Sequence, residues 1–458
     1  MGALCGHWVW VVAILTAVLL RSQTVTGDDL ARAMNLAAQG RFAEAEHVLR
    51  GIETTYPNGF EVRYRLGLIL LRQGNAREAA MRFEAAAQRS PNSALAWLGL
   101  AQARLRLGQR DTALQAAGRA ARLATAEPPL WRALAMIYTD ANEFSRAAEF
   151  EERWGRTPGA DPDSGLRLCR LRVRADDKRA VQVCLQASVG RDSTELQQLL
   201  GDAYRLTSDA RHAVEAYQRA IQLNPADAVS YFKLASLFLD HRTPLPAIAI
   251  LDSAVARFRD QSEFRRLLGL AYYQIGDFDQ AIRQFLAVLD IEPDADAGYT
   301  SLETLLPMAS AQLPEIIRRL RSFRERSPAS PVGHFLLARA LAANATLPGA
   351  EIEALLRQTI RVDPNFWPAH FELAQLEELQ ENLENAIQSL IRVVRLNPEY
   401  APAHYSLAQL YAQIGDRPRA VEHRRKHHTL LDRERARTAR ARADSPALLF
   451  SIEPPAAR

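Results

Sequence analysis

The sequence lacks the motifs that most enzymes and metalloproteins need. It has only three cysteines and no CxxC pair. It also has no P-loop, no GxGxxG dinucleotide fingerprint, no HExxH zinc motif and no GxSxG nucleophile elbow. These absences argue against a nucleotide hydrolase, a nicotinamide-dependent oxidoreductase, a zinc protease or a serine hydrolase. We therefore predict a non-enzyme, and we expect no cofactor and no metal.

Lysine and aromatic residues are also scarce. Three of the 57 basic residues are lysine, and aromatic residues make up 7% of the chain. The arginine excess fits either a GC-rich genome or arginine-rich binding surfaces. The net charge of +4 is unevenly placed, because residues 424–458 carry nine basic and four acidic side chains. The rest of the chain is close to neutral, so the C-terminus is the basic part.

Long apolar runs are absent except near the N-terminus. Residues 8–20 form an apolar run of 13 residues, which spans about 20 Å as a helix, against about 30 Å of bilayer hydrocarbon. Val25, Thr26 and Gly27 then resemble a signal peptidase site. We predict a signal peptide over residues 1–27 and export to the periplasm or cell envelope. An uncleaved anchor is the alternative, because no Lys or Arg precedes the run and Arg21 follows it.

Prolines recur at a spacing of 34 residues. Pro57 and Pro91 are 34 apart, as are Pro364 and Pro398. The segment 262–295 shows the full pattern, with Gly269, Tyr272, Gly276, Phe278, Ala281, Phe285 and Pro293. Small residues on each first helix and alanines on each second helix predict two closely packed helices per unit.

This pattern resembles the tetratricopeptide repeat (TPR), in an exported bacterial type of protein. The resemblance implies an all-α, right-handed superhelical solenoid of about twelve helix-turn-helix repeats. It covers nearly the whole chain after the signal and leaves no room for a catalytic domain. We predict these segments: a signal peptide at 1–27, repeats 1–4 at 28–161, a degenerate repeat 5 at 162–193, repeats 6–8 at 194–295, a degenerate repeat 9 at 296–330, repeats 10–12 at 331–431, and a basic capping helix with a disordered tail at 432–458.

Two cysteines lie in the degenerate repeat 5. Cys169 and Cys184 are 15 residues apart, one on each predicted helix, while Cys5 belongs to the signal. Antiparallel helices bring such a pair within disulfide range, and an oxidising compartment preserves the bond. Two buried thiols are the alternative, and the sequence leaves both open.

The resemblance implies that the first helices line a concave groove that binds an extended peptide or a helix of a partner protein. Aromatic and arginine side chains on that stripe are the usual anchors of interfaces, although packing between repeats is the alternative for each of them. The predicted partner-binding residues are Tyr64, Phe232, Arg266, Tyr273, Phe335, Arg339, Phe371, Gln375, Tyr405 and Gln409. The lysine/asparagine clamp of chaperone-binding TPR proteins and the asparagine ladder of O-GlcNAc transferases are both missing.

The histidines do not predict a metal site. His334, His370 and His404 recur at one repeat position, in the place that Trp97 and Trp131 take in other repeats. His423 and His427 have helical ligand spacing, but the basic residues between them oppose a cation.

The expected function is a non-catalytic interaction scaffold or adaptor that binds protein segments on the concave face in the cell envelope. The alternative is a structural subunit of an envelope secretion or polysaccharide-export assembly attached to the membrane through its termini. The basic tail is either a solvated cap or a contact for anionic lipid head groups. Nucleic acid is not an expected partner, because the chain carries an export signal.

Overall fold

The structure is a computed structural model that describes residues 27–55, 59–124, 127–344 and 349–444. Nearly all of the predicted signal, with Cys5, and the last 14 residues of the predicted tail lie outside these ranges. The described residues fold into α-helices and one short 3-10 turn, without strands. The predicted all-α TPR fold is therefore confirmed. The described residues divide into two compact units, which we call the N-terminal and the C-terminal unit, with the boundary between Ala216 and Tyr217.

The helices of the N-terminal unit follow the predicted period. They are α1 (Gly27–Ala38), α2 (Phe42–Thr55), α3 (Phe60–Arg72), α4 (Ala76–Arg89), α5 (Ala94–Arg106), α6 (Arg110–Leu123), α7 (Pro128–Asp140), α8 (Phe144–Gly155), α9 (Ser164–Arg174), α10 (Ala180–Ser188) and α11 (Thr194–Leu206). The unit boundary falls within the next helix, α12 (Ala210–Leu223).

The C-terminal unit continues the series. Its helices are α13 (Ala228–Asp240), α14 (Pro244–Arg257), α15 (Ser262–Ile275), α16 (Phe278–Ile291), α17 (Asp296–Glu303), α18 (Leu313–Arg326), α19 (Pro331–Ala343), α20 (Gly349–Val362), α21 (Trp367–Leu379), α22 (Leu383–Leu396), α23 (Ala401–Gln413) and α24 (Arg417–Asp444). Within each unit, consecutive helices pack as pairs, for example α3 with α4 and α21 with α22. We call the two helices of a pair its first helix and its second helix.

In most pairs, the turn between the two helices contains a residue in the left-handed conformation. Gly74 has a φ of +87° between α3 and α4, and the amide of Asn75 donates to the carbonyl of Leu70 at 2.8 Å. This bond satisfies one of the free carbonyls at the end of the first helix. Arg242 and Glu381 take the same left-handed conformation at equivalent turns, although the sequence shows no glycine there.

Glycine allows the first helices to approach the aromatic ring of a second helix. A Cβ atom added to Gly67 would lie 2.8 Å from the ring of Phe83, and one added to Gly99 would lie 2.4 Å from it. Phe83 is fully buried between these two glycines. Gly269 and Phe285 repeat the arrangement, with a corresponding distance of 2.7 Å. The small residues of the repeat pattern are therefore the sites of closest packing, as the sequence predicts.

The recurring histidines bind the loop that precedes their own helix. The Nε2 atoms of His334, His370 and His404 lie 3.0, 3.1 and 3.1 Å from the carbonyl oxygens of the prolines six residues earlier. Trp97 makes the same contact through Nε1, at 2.8 Å from the Pro91 carbonyl. A carbonyl oxygen accepts only, so each ring nitrogen donates. This position therefore favours a side-chain hydrogen-bond donor that ties the loop between repeats to the next helix.

A disulfide holds the two helices of the degenerate repeat 5 together, and a buried ion pair joins this repeat to repeat 4. Cys169 and Cys184 are bonded across α9 and α10, with a Cα–Cα distance of 4.9 Å. Glu151, almost fully buried, lies 2.8 Å from both Arg132 and Arg167. A buried carboxylate without a partner strongly destabilises the folded state. The two arginines therefore compensate the charge of Glu151. The disulfide thus lies in the repeat where the pattern of small residues is weak.

The degenerate repeat 9 is shortened at its first helix. Helix α17 ends after eight residues and is followed by a 3-10 turn over Leu306–Met308. Pro307 lies in this turn, and its ring has no amide to continue an α-helix. Helix α17 packs against α16 and α19, so the repeat still joins its neighbours. No helix among the described residues has the length and apolar content needed to cross a membrane.

Candidate functional site

Three of the predicted aromatic residues are exposed on first helices of the C-terminal unit. Phe232 on α13 is 42% exposed, Tyr273 on α15 is 39% exposed and Tyr405 on α23 is 50% exposed. Gln375 and Gln409 are also exposed, and Arg266 is partly exposed. We call the surface carried by these six side chains the first-helix face.

The other three predicted aromatic residues lie in the core. Tyr64 and Phe335 are at most 2% exposed and Phe371 is 9% exposed. The ring of Phe335 packs on Phe366 at a centroid distance of 5.1 Å, and that of Phe371 packs on Tyr400 at 5.0 Å. Packing within the protein is the alternative that the sequence left open, and we therefore leave these rings out of the first-helix face.

The burial of Tyr64 predicts that removing its hydroxyl group stabilises the protein. Its hydroxyl is buried and has no hydrogen-bond partner in the described structure, and burial raises its pKa. Because an unsatisfied buried hydroxyl costs free energy, we expect Tyr64→Phe to raise the free energy of unfolding by about 1 kcal/mol in urea denaturation. Tyr299→Phe is the control, since the Tyr299 hydroxyl donates to the Pro293 carbonyl at 3.1 Å. Equal destabilisation by both variants would contradict the prediction.

Two exposed apolar residues that the sequence did not single out extend this face. Val229 is three residues before Phe232 on α13, and Leu270 is three residues before Tyr273 on α15. They are 49% and 40% exposed, respectively. Residues at this spacing share one side of a helix, and α13 packs against α15. Their spacing from Phe232 and Tyr273 is the signal that was available in the sequence.

Arg339 joins two carboxylates from neighbouring first helices. Its Nη1 atom lies 2.9 Å from Glu372 Oε1 on α21 and 3.4 Å from Glu303 Oε1 at the end of α17. All three side chains are between 23% and 30% exposed. Burial raises the pKa of Glu372, and Arg339 opposes this. Arg339 could be singled out from the sequence, but neither acid could, because both are far from Arg339 along the chain.

Tyr405 is flanked by the C-terminal helix. Its hydroxyl accepts a hydrogen bond from Gln409 Nε2 at 2.9 Å. The ring of His427 on α24 lies 5.2 Å from the ring of Tyr405, and His427 Nδ1 is 3.0 Å from the Ala401 carbonyl. The beginning of α24 therefore borders the first-helix face at its C-terminal end.

A histidine pair helps to hold α24 on α23. His404 Nδ1 and His423 Nδ1 are 2.9 Å apart. Because His404 Nε2 already donates to the Pro398 carbonyl, Nδ1 of neutral His404 must accept, and the proton between the rings belongs to His423. If both Nδ1 atoms carried a proton, two donors would face each other and the hydrogen bond between the histidines would be lost. Burial lowers the pKa of both histidines, and nearby Lys426 lowers both further.

We expect the docking of α24 to weaken in mild acid. The pKa of each docked histidine lies below the ordinary value of 6.5, so the histidine binds more protons when α24 is undocked. The docked state therefore keeps its full stability above pH 6.5 and loses it as the pH falls. Hydrogen exchange of the amides of residues 417–431 at several pH values, corrected for intrinsic rates, measures this effect. His423→Phe should reduce the pH dependence, and His428→Phe, at an exposed position, should not. Unchanged protection down to pH 5.5 would contradict the expectation.

Four family models described as tetratricopeptide or TPR repeats match the chain. One matches residues 70–137, one matches 30–94 and 232–297, one matches 379–415 and one matches 194–227. Both units therefore contain TPR repeats.

Relatives with similar sequence align over part of their length. The peroxisomal targeting signal receptor of Pichia angusta is 26% identical over 40% of this chain and 34% of its own. The receptor of the same description from Debaryomyces hansenii is 23% identical over 56% of this chain and 44% of its own. Mouse tetratricopeptide repeat protein 33 is 31% identical over 26% of this chain and 50% of its own. The chain thus spans about a third to a half of these relatives.

This chain is also similar to proteins of known structure in the arrangement of its helices. Yeast Tom70 has a TM-score of 0.40 and 15% identity, covering 91% of this chain and 94% of its own. MamA has a TM-score of 0.33 and 21% identity, covering 36% of this chain and 91% of its own.

Proposed function

We propose that this chain of TPR repeats is a non-catalytic scaffold that binds partner proteins through its first-helix face. The observation that carries the proposal is the exposure of Phe232, Tyr273 and Tyr405, each at least 39% exposed. The chain buries aromatic rings on other first helices, such as Tyr64 and Phe335. An exposed apolar or aromatic surface is a common mark of a protein interaction site.

The chemistry of these side chains suits an extended peptide or an amphipathic helix. Aromatic rings supply large apolar contacts, and the amides of Gln375 and Gln409 supply donors and acceptors at the same surface. Several moderate contacts on successive repeats act together as one multivalent site. The repeat type and the relatives described as targeting signal receptors support a binding function rather than catalysis.

The test compares two exposed aromatic residues with two exposed residues on second helices. Phe232→Ala with Tyr405→Ala removes rings from the first-helix face. Leu245→Ala with Val421→Ala is the matched control, because these side chains are 68% and 65% exposed and lie on α14 and α24. We expect the first variant to lose at least about tenfold in affinity for the protein captured most strongly by the wild type. Equal loss in both variants would refute the proposal.

We further propose that the chain is exported and works in the cell envelope. The apolar run at residues 8–20 and the bonding of Cys169 to Cys184 support this, since disulfides persist in oxidising compartments. N-terminal sequencing of the protein from its host should find Asp28 first if the signal is cleaved, or the complete N-terminus if it is an anchor. A chain found in the cytoplasm with free thiols would refute export.

The basic end of α24 is proposed to contact anionic lipid head groups. Residues 432–439 are exposed on all sides, and the helix has no apolar face to insert, so the contact would be electrostatic. Sedimentation of the full-length chain with phosphatidylserine vesicles should decrease on deletion of residues 432–458 and at high salt. Unchanged sedimentation in the deletion variant would refute it.

A further inference from the structure

The charges around Arg339 do not balance. Glu303 and Glu372 approach the same nitrogen of one guanidinium group, so the three side chains carry a net charge of −1 when both acids are ionised. They come from three consecutive first helices, α17, α19 and α21. Each remains between 23% and 30% exposed, so a group from outside can reach them.

One aromatic ring lies beside Arg339, and a second group of rings packs around Tyr400. The Phe335 ring lies 6.0 Å from Arg339 Cζ, and Tyr400 packs on both Trp367 and Phe371 at 4.5 and 5.0 Å. Burial raises the pKa of Tyr400, the charge of Glu372 raises it further, Arg339 lowers it and Glu303 raises it. The phenol therefore lies close enough to sense the charges of all three side chains. A partly desolvated site with a net negative charge and an aromatic ring nearby favours a cation.

We propose that the Glu303–Arg339–Glu372 cluster binds an arginine side chain from the partner segment that the first-helix face captures. This inference rests on the proposed scaffold function and specifies its ligand chemistry. The incoming guanidinium would pair with the carboxylate oxygens that Arg339 leaves free. Each carboxylate offers about four lone-pair positions, and Arg339 occupies one oxygen of each acid.

The geometry favours arginine over the other charged groups. An anion would meet two carboxylates for one guanidinium and would be repelled. A lysine ammonium is a strongly hydrated point charge, whereas a guanidinium is planar, loses hydration more easily and stacks on aromatic rings. The two carboxylates are partly exposed, and so is the Tyr400 ring, whereas Phe335 is buried. The cluster therefore favours arginine by its charge, with Tyr400 as the aromatic ring open to stacking.

The probe is a synthetic array of eight-residue peptides with varied flanking residues. Their central residue is arginine, lysine, citrulline or glutamate. The full-length wild type should bind its best arginine peptides at least about tenfold more tightly than the citrulline versions, which keep the shape but lose the charge. The Glu303→Gln/Glu372→Gln variant should show less than about threefold discrimination. Equal discrimination by both proteins would overturn the inference.

Two further variants separate binding from folding. Glu384→Gln removes one carboxylate charge at an exposed position of α22 and should bind like the wild type. Arg339→Gln frees both carboxylates and should strengthen binding of the arginine peptides about threefold or more. A purely structural ion pair predicts no gain. A weaker affinity in this variant, with unchanged hydrogen exchange of α19 and α21, would therefore refute the proposed site.

The two proposals fail in different ways. Array peptides that lose binding in the Phe232→Ala/Tyr405→Ala variant, but show no preference for central arginine, would refute the arginine site and support the scaffold. Peptides that bind equally to all variants would refute both.

Discussion

Replacing Phe83 with alanine is expected to destabilise α3, α4 and α5 by about 3–5 kcal/mol. The ring is fully buried and fills the space between Gly67 and Gly99, which have no side chains to close a cavity. The surrounding helices cannot move far to fill the cavity, because α3 also packs on α4 and α5 also packs on α6. Hydrogen exchange of the amides of residues 60–106 in the full-length chain measures the loss directly.

Gly99→Ala tests the same contact from the other side. Its new Cβ would lie 2.4 Å from the Phe83 ring, and we expect overpacking to cost about 1–3 kcal/mol. In a Phe83→Ala background the ring is gone, so the same substitution should cost almost nothing. A double-mutant cycle would then show strong coupling. Additive effects would contradict the packing described for this pair of repeats, and Gly118→Ala, in open surroundings on α6, is the control.

Removing the disulfide is expected to lower the stability of α9 and α10 by about 3 kcal/mol. The bond closes a loop over a sequence separation of 15 residues, and both cysteines are fully buried. We expect Cys169→Ala with Cys184→Ala to increase hydrogen exchange across residues 164–188. The distant helices α3 to α5 should be unaffected, because repeats interact mainly with adjacent repeats.

Reduction of the wild type supplies the control for this variant. Dithiothreitol should bring wild-type exchange close to that of the double variant and should leave the double variant unchanged. Alkylation under denaturing conditions should label no free thiol at Cys169 or Cys184 before reduction. Labelling of both cysteines, with no effect of dithiothreitol on exchange, would show that they act as buried thiols instead.

Most of the fold could be predicted because the repeat encodes its own packing. The spacing of Gly269 and Phe285 places a small residue under a ring on the next helix, and proline and glycine mark the turns. Helices α15 and α16 follow this pattern. The turns at Arg242 and Glu381 could not be predicted, because side chains rarely adopt a positive φ. Each turn is closed by a backbone hydrogen bond, from the Thr243 amide to the Phe238 carbonyl and from the Asn382 amide to the Glu377 carbonyl, both at 2.9 Å.

The candidate site was harder to predict, because the same repeat position serves two purposes. Phe335 and Phe371 are covered by Phe366 and Tyr400, each at the N-cap of the next first helix. Phe232 has Gln261 at the equivalent N-cap, and its ring remains exposed. An aromatic residue at the next N-cap was thus the sequence signal for the burial of Phe335 and Phe371, whereas Tyr64 is buried with Ser93 at that position. Glu303 and Glu372 carried no such signal, because their proximity to Arg339 depends on the stacking of three repeats.

Site-specific photocrosslinking in living cells is the most direct test of the proposed binding face. A photoreactive phenylalanine analogue is placed at Phe232, Tyr273 or Tyr405 in the full-length chain, and at Leu245 as an exposed control. The scaffold proposal predicts that the three face positions crosslink to the same one or two proteins, and that Leu245 does not. Equal crosslinking from Leu245, or a different set of proteins from every position, would contradict a binding function for the first-helix face.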